Sequence, residues 1–443
     1  MLNILLEIVI CLTILYFLRK DYITGVAITV FFLITIPDAL SIRVGSLVDL
    51  NAYRLILVVL VLFSQVNTQD YSDLPSIPVF SVFLLVLLSN LVSSSISADV
   101  KFSMNKFVGF SLMPFLFYVV LIRSIKDEND IELLLRYIIA GLLIVTILGL
   151  AEKYLHFSVI KYMNSDQYSM ILSLNGRVTS TYPHPILLGA GLAMGVPLAM
   201  YSIQYLKREN FTYLYYITTF LLVATTYLTF SRSAWISLGI CFSLGLIFLP
   251  KELKKYIYIM VLSLIILIYF REGMYNTIEN LYESTFDVNT IKGSSYSYRS
   301  ELWRVAISKI GESTTRLLFG FGDGSHEIIN LSGSLSYDPY RIVSFKSWDN
   351  EYACILLERG VIGFSLYLIM NLYIFIRMVK GRIQLEGQEK ILIGSLLISN
   401  CIFLFTLFSV KMFSVQIVFL YWTNVAIAMR MLDMKGIPDE REA

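Results

Sequence analysis

Apolar runs long enough to cross a lipid bilayer recur along the whole chain. They lie near residues 2–18, 23–40, 51–66, 77–95, 106–123, 131–150, 185–204, 212–230, 233–249, 256–270, 359–378, 389–409 and 412–430. A helix needs about 20 residues to traverse the hydrocarbon layer, so the pattern corresponds to roughly thirteen spans. Composition agrees. The 443 residues are 56% hydrophobic and only 15% charged, whereas soluble domains hold about 25% charged residues. A water-soluble fold has too little interior for so much apolar side chain. The expected fold class is all-α: a polytopic membrane helical bundle of about 12–13 transmembrane helices, with one long, partly helical loop. Leu2 to Leu18 follows no basic region or small-residue cleavage site and reads as a retained first span.

Lysine and arginine bias in short loops sets the orientation of such a bundle. One alternate set of connections carries Arg19, Lys20, Arg123, Lys126, Lys207, Arg208, Lys251, Lys254, Lys255, Lys380 and Arg382. That set is expected to be cytoplasmic, placing the N-terminus outside and the C-terminus inside. Two segments of the opposite set, 151–184 and 271–348, are too long to be turns, and long connections without a role are uncommon. In 298–310, Leu302, Trp303, Ala306, Ile307 and Ile310 share one helical side, the pattern of an amphipathic helix lying on the bundle or the interface. The chain thus divides into N-terminal spans (1–150), a core (151–431) containing the loop 271–348, and a cytoplasmic tail (432–443).

The net charge of +2 provides no basic footprint for nucleic acid. The four cysteines, Cys11, Cys241, Cys354 and Cys401, form no C-x-x-C pair and keep no metal spacing; they read as small buried hydrophobes. Chemistry must therefore rest on a few charges in apolar surroundings. Arg232 lies between two apolar runs in Leu228-Thr-Phe-Ser-Arg232-Ser-Ala-Trp235. It is either a snorkelling anchor or a charge turned to a cavity or headgroup. Arg177 precedes Thr-Tyr-Pro-His184-Pro185 at the start of a span. Pro185 suits the first helical turn, and His184 either caps that helix or contacts an anion beside it. Arg299 and Arg304 sit on the amphipathic helix, where a solvated polar face is the alternative. Arg177, Arg232 and Arg299 fall on one side of the membrane, and guanidinium binds phosphate through a planar, permanently charged fork. Phe319-Gly-Phe-Gly-Asp-Gly-Ser325 lacks the ending of a P-loop and reads as a tight turn. Asp349 and Asn350 precede a further helix. They are either its N-cap or, for Asp349, a general base.

Five elements occur in order from about residue 170 to 380: Arg177-x-x-Ser-Thr-Tyr-Pro-His184-Pro, Ser231-Arg232-Ser-Ala-Trp235, Arg299-x-x-x-Trp303, the Phe319-Gly-Phe-Gly turn, and Asp349-Asn350 leading to Glu358-Arg-Gly-Val-Ile-Gly363. Together they resemble the O-antigen ligase and polymerase superfamily. The resemblance implies a glycosyltransferase of the GT-C type that takes glycan from undecaprenyl diphosphate without a metal or nucleotide sugar at its active site. The donor and the acceptor would both be partners, with membrane lipid, a chain-length regulator and a flippase as further ones. Arg177, Arg232 and Arg299 would bind diphosphate. Asp349 and Arg232 would be catalytic; His184, Trp303, Arg304 and Asn350 would contact substrate, and Trp303, Trp348 and Tyr352 would offer flat faces to sugars. Ligases of this superfamily usually carry a histidine before the asparagine where this chain has Asp349, which favours a polymerase of O-antigen, capsule or exopolysaccharide repeats over a ligase acting on lipid A-core. The alternative from another class is a lipid-linked oligosaccharide flippase.

Overall fold

The computed structural model describes residues 2–38, 40–44, 48–67, 77–163, 176–206, 212–270, 291–329, 331–335, 338–345, 347–412 and 414–437. Expectations placed on 164–175, 207–211, 271–290 and 438–443 lie outside these residues. The chain is a helical bundle. Its first half runs through α1 (Leu2–Lys20), α2 (Tyr22–Thr35), α3 (Ala52–Asn67), α4 (Phe80–Ser95), α5 (Val100–Phe107), a π-turn (Val108–Leu112), α6 (Met113–Ser124), α7 (Glu128–Leu155) and the short α8 (Val159–Met163). It continues with α9 (Pro185–Tyr205), α10 (Thr212–Leu228), α11 (Arg232–Phe248), α12 (Lys251–Phe270), α13 (Ile291–Ile310), α14 (Thr314–Phe319), α15 (Ser325–Ile328), α16 (Glu351–Gln384), α17 (Gly387–Thr406) and α18 (Val415–Met434). Each expected apolar run falls largely on helix. Among the described residues, six helices are long and apolar enough to cross a membrane, counting α5 to α6 as one, and four more are shorter apolar helices.

Helix starts follow local chemistry. Asp127 and Asp130 form a reciprocal capping box at α7, Ser231 caps α11 through Ala234 N, and Pro185 opens α9. Each satisfies or removes a backbone donor that the first turn leaves unpaired. The most enclosed element is α9, buried from Leu187 to Ile203. Small residues let its neighbours approach closely: a Cβ on Gly189 would lie 2.3 Å from Ala234 Cβ, and one on Gly195 would lie 2.4 Å from Leu142 Cδ1. A single apolar core links helices of 1–150 to those of the core segment, from Ile14 and Leu33 to Leu192 and Ile427.

Sequence periodicity does not reveal two short antiparallel hairpins, β1 (Ser41–Val44) with β2 (Val48–Asn51) and β3 (Ser332–Leu335) with β4 (Asp338–Ser344). The amphipathic α13 lies on the bundle: Leu302, Ala306 and Ile310 are buried with Phe345, Trp348 and Ala353 in a second apolar cluster. The four cysteines are unpaired. Described connections form contacts at two separate places. At one, Lys435 pairs with Glu128 and Glu389, and Arg430 donates to Ile125 O. At the other, Gln416 donates to Ile36 O and Thr181 O, Arg177 to Thr229 O, and Arg299 to Ser409 O.

Candidate functional site

At this second place the loop 176–184 is held rigidly. Glu152, near the C-terminus of α7, accepts from Thr179 N at 3.0 Å, Thr179 Oγ1 at 3.1 Å and Ser180 N at 2.5 Å. Ser180 Oγ donates to Val145 O at 2.6 Å, and Gln416 Nε2 donates to Thr181 O at 2.9 Å. The loop thereby fixes Arg177, whose Nε donates to Thr229 O at 2.9 Å, in the turn between α10 and α11. That turn is pinned in its own right. Trp235 stacks on Tyr227 with ring centroids 5.5 Å apart, and its indole N–H donates to Tyr227 O at 3.3 Å. Arg232 is the first residue of α11, so the loop that presents Arg177 also abuts the helix start that presents Arg232.

Arg299 arrives from α13. Its Nε donates to Asp349 O and Ser409 O, each at 3.2 Å, and Nη2 lies 3.9 Å from Asp349 Oδ2. The other Asp349 oxygen accepts from Ser347 Oγ at 2.7 Å. The Asp349 side chain is 40% exposed and that of Arg299 is 21% exposed, leaving the carboxylate open to an incoming group. Electrostatics ties these stretches together. Arg232 lies within range of Arg299. His184 lies within range of Arg177, Asp349 and Arg299. Burial first, and then Arg177, push the His184 imidazole down to about 4; Asp349 pulls the other way and Arg299 adds a smaller push down. Burial also lowers Arg177 from its usual value; a guanidinium nonetheless keeps its charge at neutral pH. Five groups from four chain segments thus share one neighbourhood.

The other expected residues take more local roles. Asn350 is the N-cap of α16, its Oδ1 accepting from Ala353 N at 3.1 Å, and it is buried. Arg304 is bound to Glu301 on its own helix at 2.6 Å. Trp303 is half-buried, edge-on to Phe364. Trp348 and Tyr352 are 2% and 6% exposed, so as sugar-facing platforms they are corrected: their rings belong to the packed interior. The Phe319-Gly-Phe-Gly turn is tight, as its sequence indicates. Gly320 (φ +71°) and Gly360 (φ +63°) meet backbone to backbone, and a Cβ on either would lie within 2.6 Å of main-chain atoms of the other segment.

That contact frames a second polar cluster that the sequence did not announce. Arg359 Nε is 2.9 Å from Asp323 Oδ1, and Ser111, in the π-turn, donates to Asp323 Oδ2 at 3.0 Å. Glu358 Oε1 accepts from Gly324 N at 2.9 Å and lies 2.5 Å from His326 Nδ1. Lys411 contacts His326 and lies 3.9 Å from Glu358. A cavity of about 100 Å³ borders this cluster, lined by polar Asn90, Glu351 and Lys411 and by apolar Phe83, Phe403 and Trp422. His326, Cys354 and Glu358 each bring a possible metal-ligating atom within 4.8 Å of the others, and Lys411 approaches two of them, His326 and Glu358. Paired charges of this kind are costly to bury singly, and here they join α4, the π-turn, the glycine turn and α16. The signal in sequence was the isolated Lys411 between two apolar runs.

No curated protein matches the chain. The model of the O-antigen ligase family matches residues 217–368. The matched stretch holds Arg232, Arg299 and Asp349, and includes the glycine turn and the Glu358-Arg-Gly kink; Arg177 and His184 precede it. The match covers about a third of the chain and four of the five motifs, and supports the resemblance to the O-antigen ligase and polymerase superfamily.

Proposed function

We propose that the chain is a membrane glycosyltransferase that polymerises undecaprenyl-diphosphate-linked oligosaccharide repeat units at the outer face of a bacterial plasma membrane, with its N-terminus outside and C-terminus inside. The observation that carries this reading is the convergence of Arg177, Arg232 and Arg299, from three separate segments, beside the open carboxylate of Asp349. A polyprenyl diphosphate is the leaving group such a site suits. It is a concentrated, multiply charged anion at the end of an apolar chain, and guanidiniums beside the apolar bundle match both parts.

In this reading the donor diphosphate sits among the three guanidiniums. The acceptor hydroxyl approaches the anomeric carbon from the opposite side. Asp349 takes the hydroxyl proton as the oxygen forms its bond to C1. The bond between C1 and the phosphate oxygen breaks, its electron pair leaves with the diphosphate, and the guanidiniums stabilise that developing charge. Direct displacement inverts the anomeric configuration. Metal-independent transfer of the GT-C type is part of the proposal. Asp349 favours a repeat-unit acceptor over lipid A-core, the acceptor of the ligase alternative.

Two variants test the roles. Arg232→Ala and Asp349→Ala, produced at wild-type level in membranes, should each abolish long polymer. Wild-type chain length from both would overturn the assignment. Transfer of glycan to lipid A-core instead of to another repeat unit would convert the reading to the ligase.

A further inference from the structure

We propose that His184 is a neutral hydrogen-bond donor, through Nε2–H, to a non-bridging phosphoryl oxygen of the bound diphosphate; this rests on the diphosphate reading of the site. The geometry fixes the tautomer. Ile186 N donates to His184 Nδ1 at 3.2 Å. A ring nitrogen that accepts a backbone N–H carries no proton, so the proton of the neutral ring resides on Nε2. An imidazolium would set an N–H against the N–H of Ile186, so the helix start itself disfavours the charged form.

The surroundings point the same way. The charged groups acting on the ring are Arg177 from its own loop, Arg299 from α13 and Asp349 before α16. Burial of the ring, and then Arg177, disfavour a positive charge there and outweigh Asp349, holding the imidazole in the donor form at neutral pH. The loop bearing His184 is tied down through Thr179, Ser180 and Thr181 by Glu152, Val145 and Gln416. The ring is therefore held in place at the guanidinium cluster before any ligand arrives. An oxyanion among guanidiniums still has lone pairs to satisfy, and an N–H that neither titrates at working pH nor needs reorganisation serves one of them. This assigns His184 neither the role of base, since its lone pair is occupied, nor that of a charge. It is a substrate-contacting donor.

Capping and donation can be separated by substitution. His184→Ser retains an effective cap for α9 but removes the long-reaching N–H. His184→Gln places an amide N–H at comparable reach. Purified protein in liposomes, supplied with a lipid-diphosphate-linked donor, should show about a 10- to 100-fold loss in kcat/KM for donor in His184→Ser, the size expected for one hydrogen bond to a charged group. Most of that loss should be recovered in His184→Gln, with thermal stability close to wild type in both. Wild-type kinetics in His184→Ser would show that the residue is only a cap and overturn the inference. So would equal losses in Ser and Gln variants. Arg232→Ala is run alongside. Its full activity would remove the diphosphate reading and this inference with it, whereas an inactive Arg232→Ala beside a normal His184→Ser would remove the inference alone.

Discussion

Glu152→Ala should unfasten the arginine-bearing loop while leaving every arginine in the sequence. One carboxylate receives three hydrogen bonds from Thr179 and Ser180, residues that are 0% and 2% exposed. A hydrogen bond to a charged acceptor contributes about 1.5–3 kcal/mol, and a buried donor left without an acceptor costs about 1–3 kcal/mol. The three bonds share one acceptor and do not add, so the loss is about 3–5 kcal/mol. Displacing Arg177 and His184 by about 1 Å would lower transfer by roughly 100-fold. Glu152→Gln supplies the control. Its amide oxygen can take the two backbone N–H groups, and its NH2 can face the Thr179 hydroxyl, which also accepts. Only charge assistance is lost, about 1 kcal/mol. Thermal unfolding in detergent and polymer formation in membranes with matched expression should rank wild type, Gln and Ala in that order, with a wide gap before Ala. Equal behaviour of Gln and Ala, or a normal Ala variant, would refute the reasoning.

Two further substitutions address neighbouring features. Gly360→Ala places a side chain at φ +63° and ψ −170°, 2.5 Å from the Leu318 backbone; strain and clash together should cost about 3 kcal/mol or more, read as loss of monodisperse protein, and wild-type yield and stability would contradict it. His184 protonates at about 4 in the fold, against a reference of 6.5. Because the folded value is the lower, the stabilisation is complete above 6.5 and is lost as pH falls toward 4. The difference corresponds to on the order of 3 kcal/mol. Melting temperature should therefore fall over that window in wild type and fall less steeply in His184→Ser; parallel slopes would contradict the linkage.

How far the sequence anticipates this structure depends on the range of each signal. Run length is a local property, so the expected spans coincide with helices, and the glycine turn and Pro185 helix start are likewise local. The hairpin strand β1 holds four residues, too few for alternation to show. Arg177 and Arg232 stand out because charge beside apolar runs is rare; Arg299 and Asp349 stand out by falling on the same side and by the resemblance. Their supports do not. Glu152 reads as the start of a loop, whereas α7 continues to Leu155 and turns that carboxylate back onto Thr179 and Ser180. Lys411 and His326 are 85 residues apart, and Arg359 and Asp323 look like ordinary surface charges until the Gly320–Gly360 contact brings their segments together. Trp348 and Tyr352 show the converse: an aromatic ring signals neither exposure nor burial by type alone.

The central claim is that three guanidiniums from distant segments form one diphosphate site. Binding of undecaprenyl diphosphate to the purified protein, measured against undecaprenol, tests it most directly. The account predicts a strong preference for the diphosphate, weakened by about 10- to 100-fold in each of Arg177→Ala, Arg232→Ala and Arg299→Ala, with undecaprenol binding unchanged. Equal affinity for the two lipids, or a preference for the diphosphate that survives all three substitutions, would contradict it.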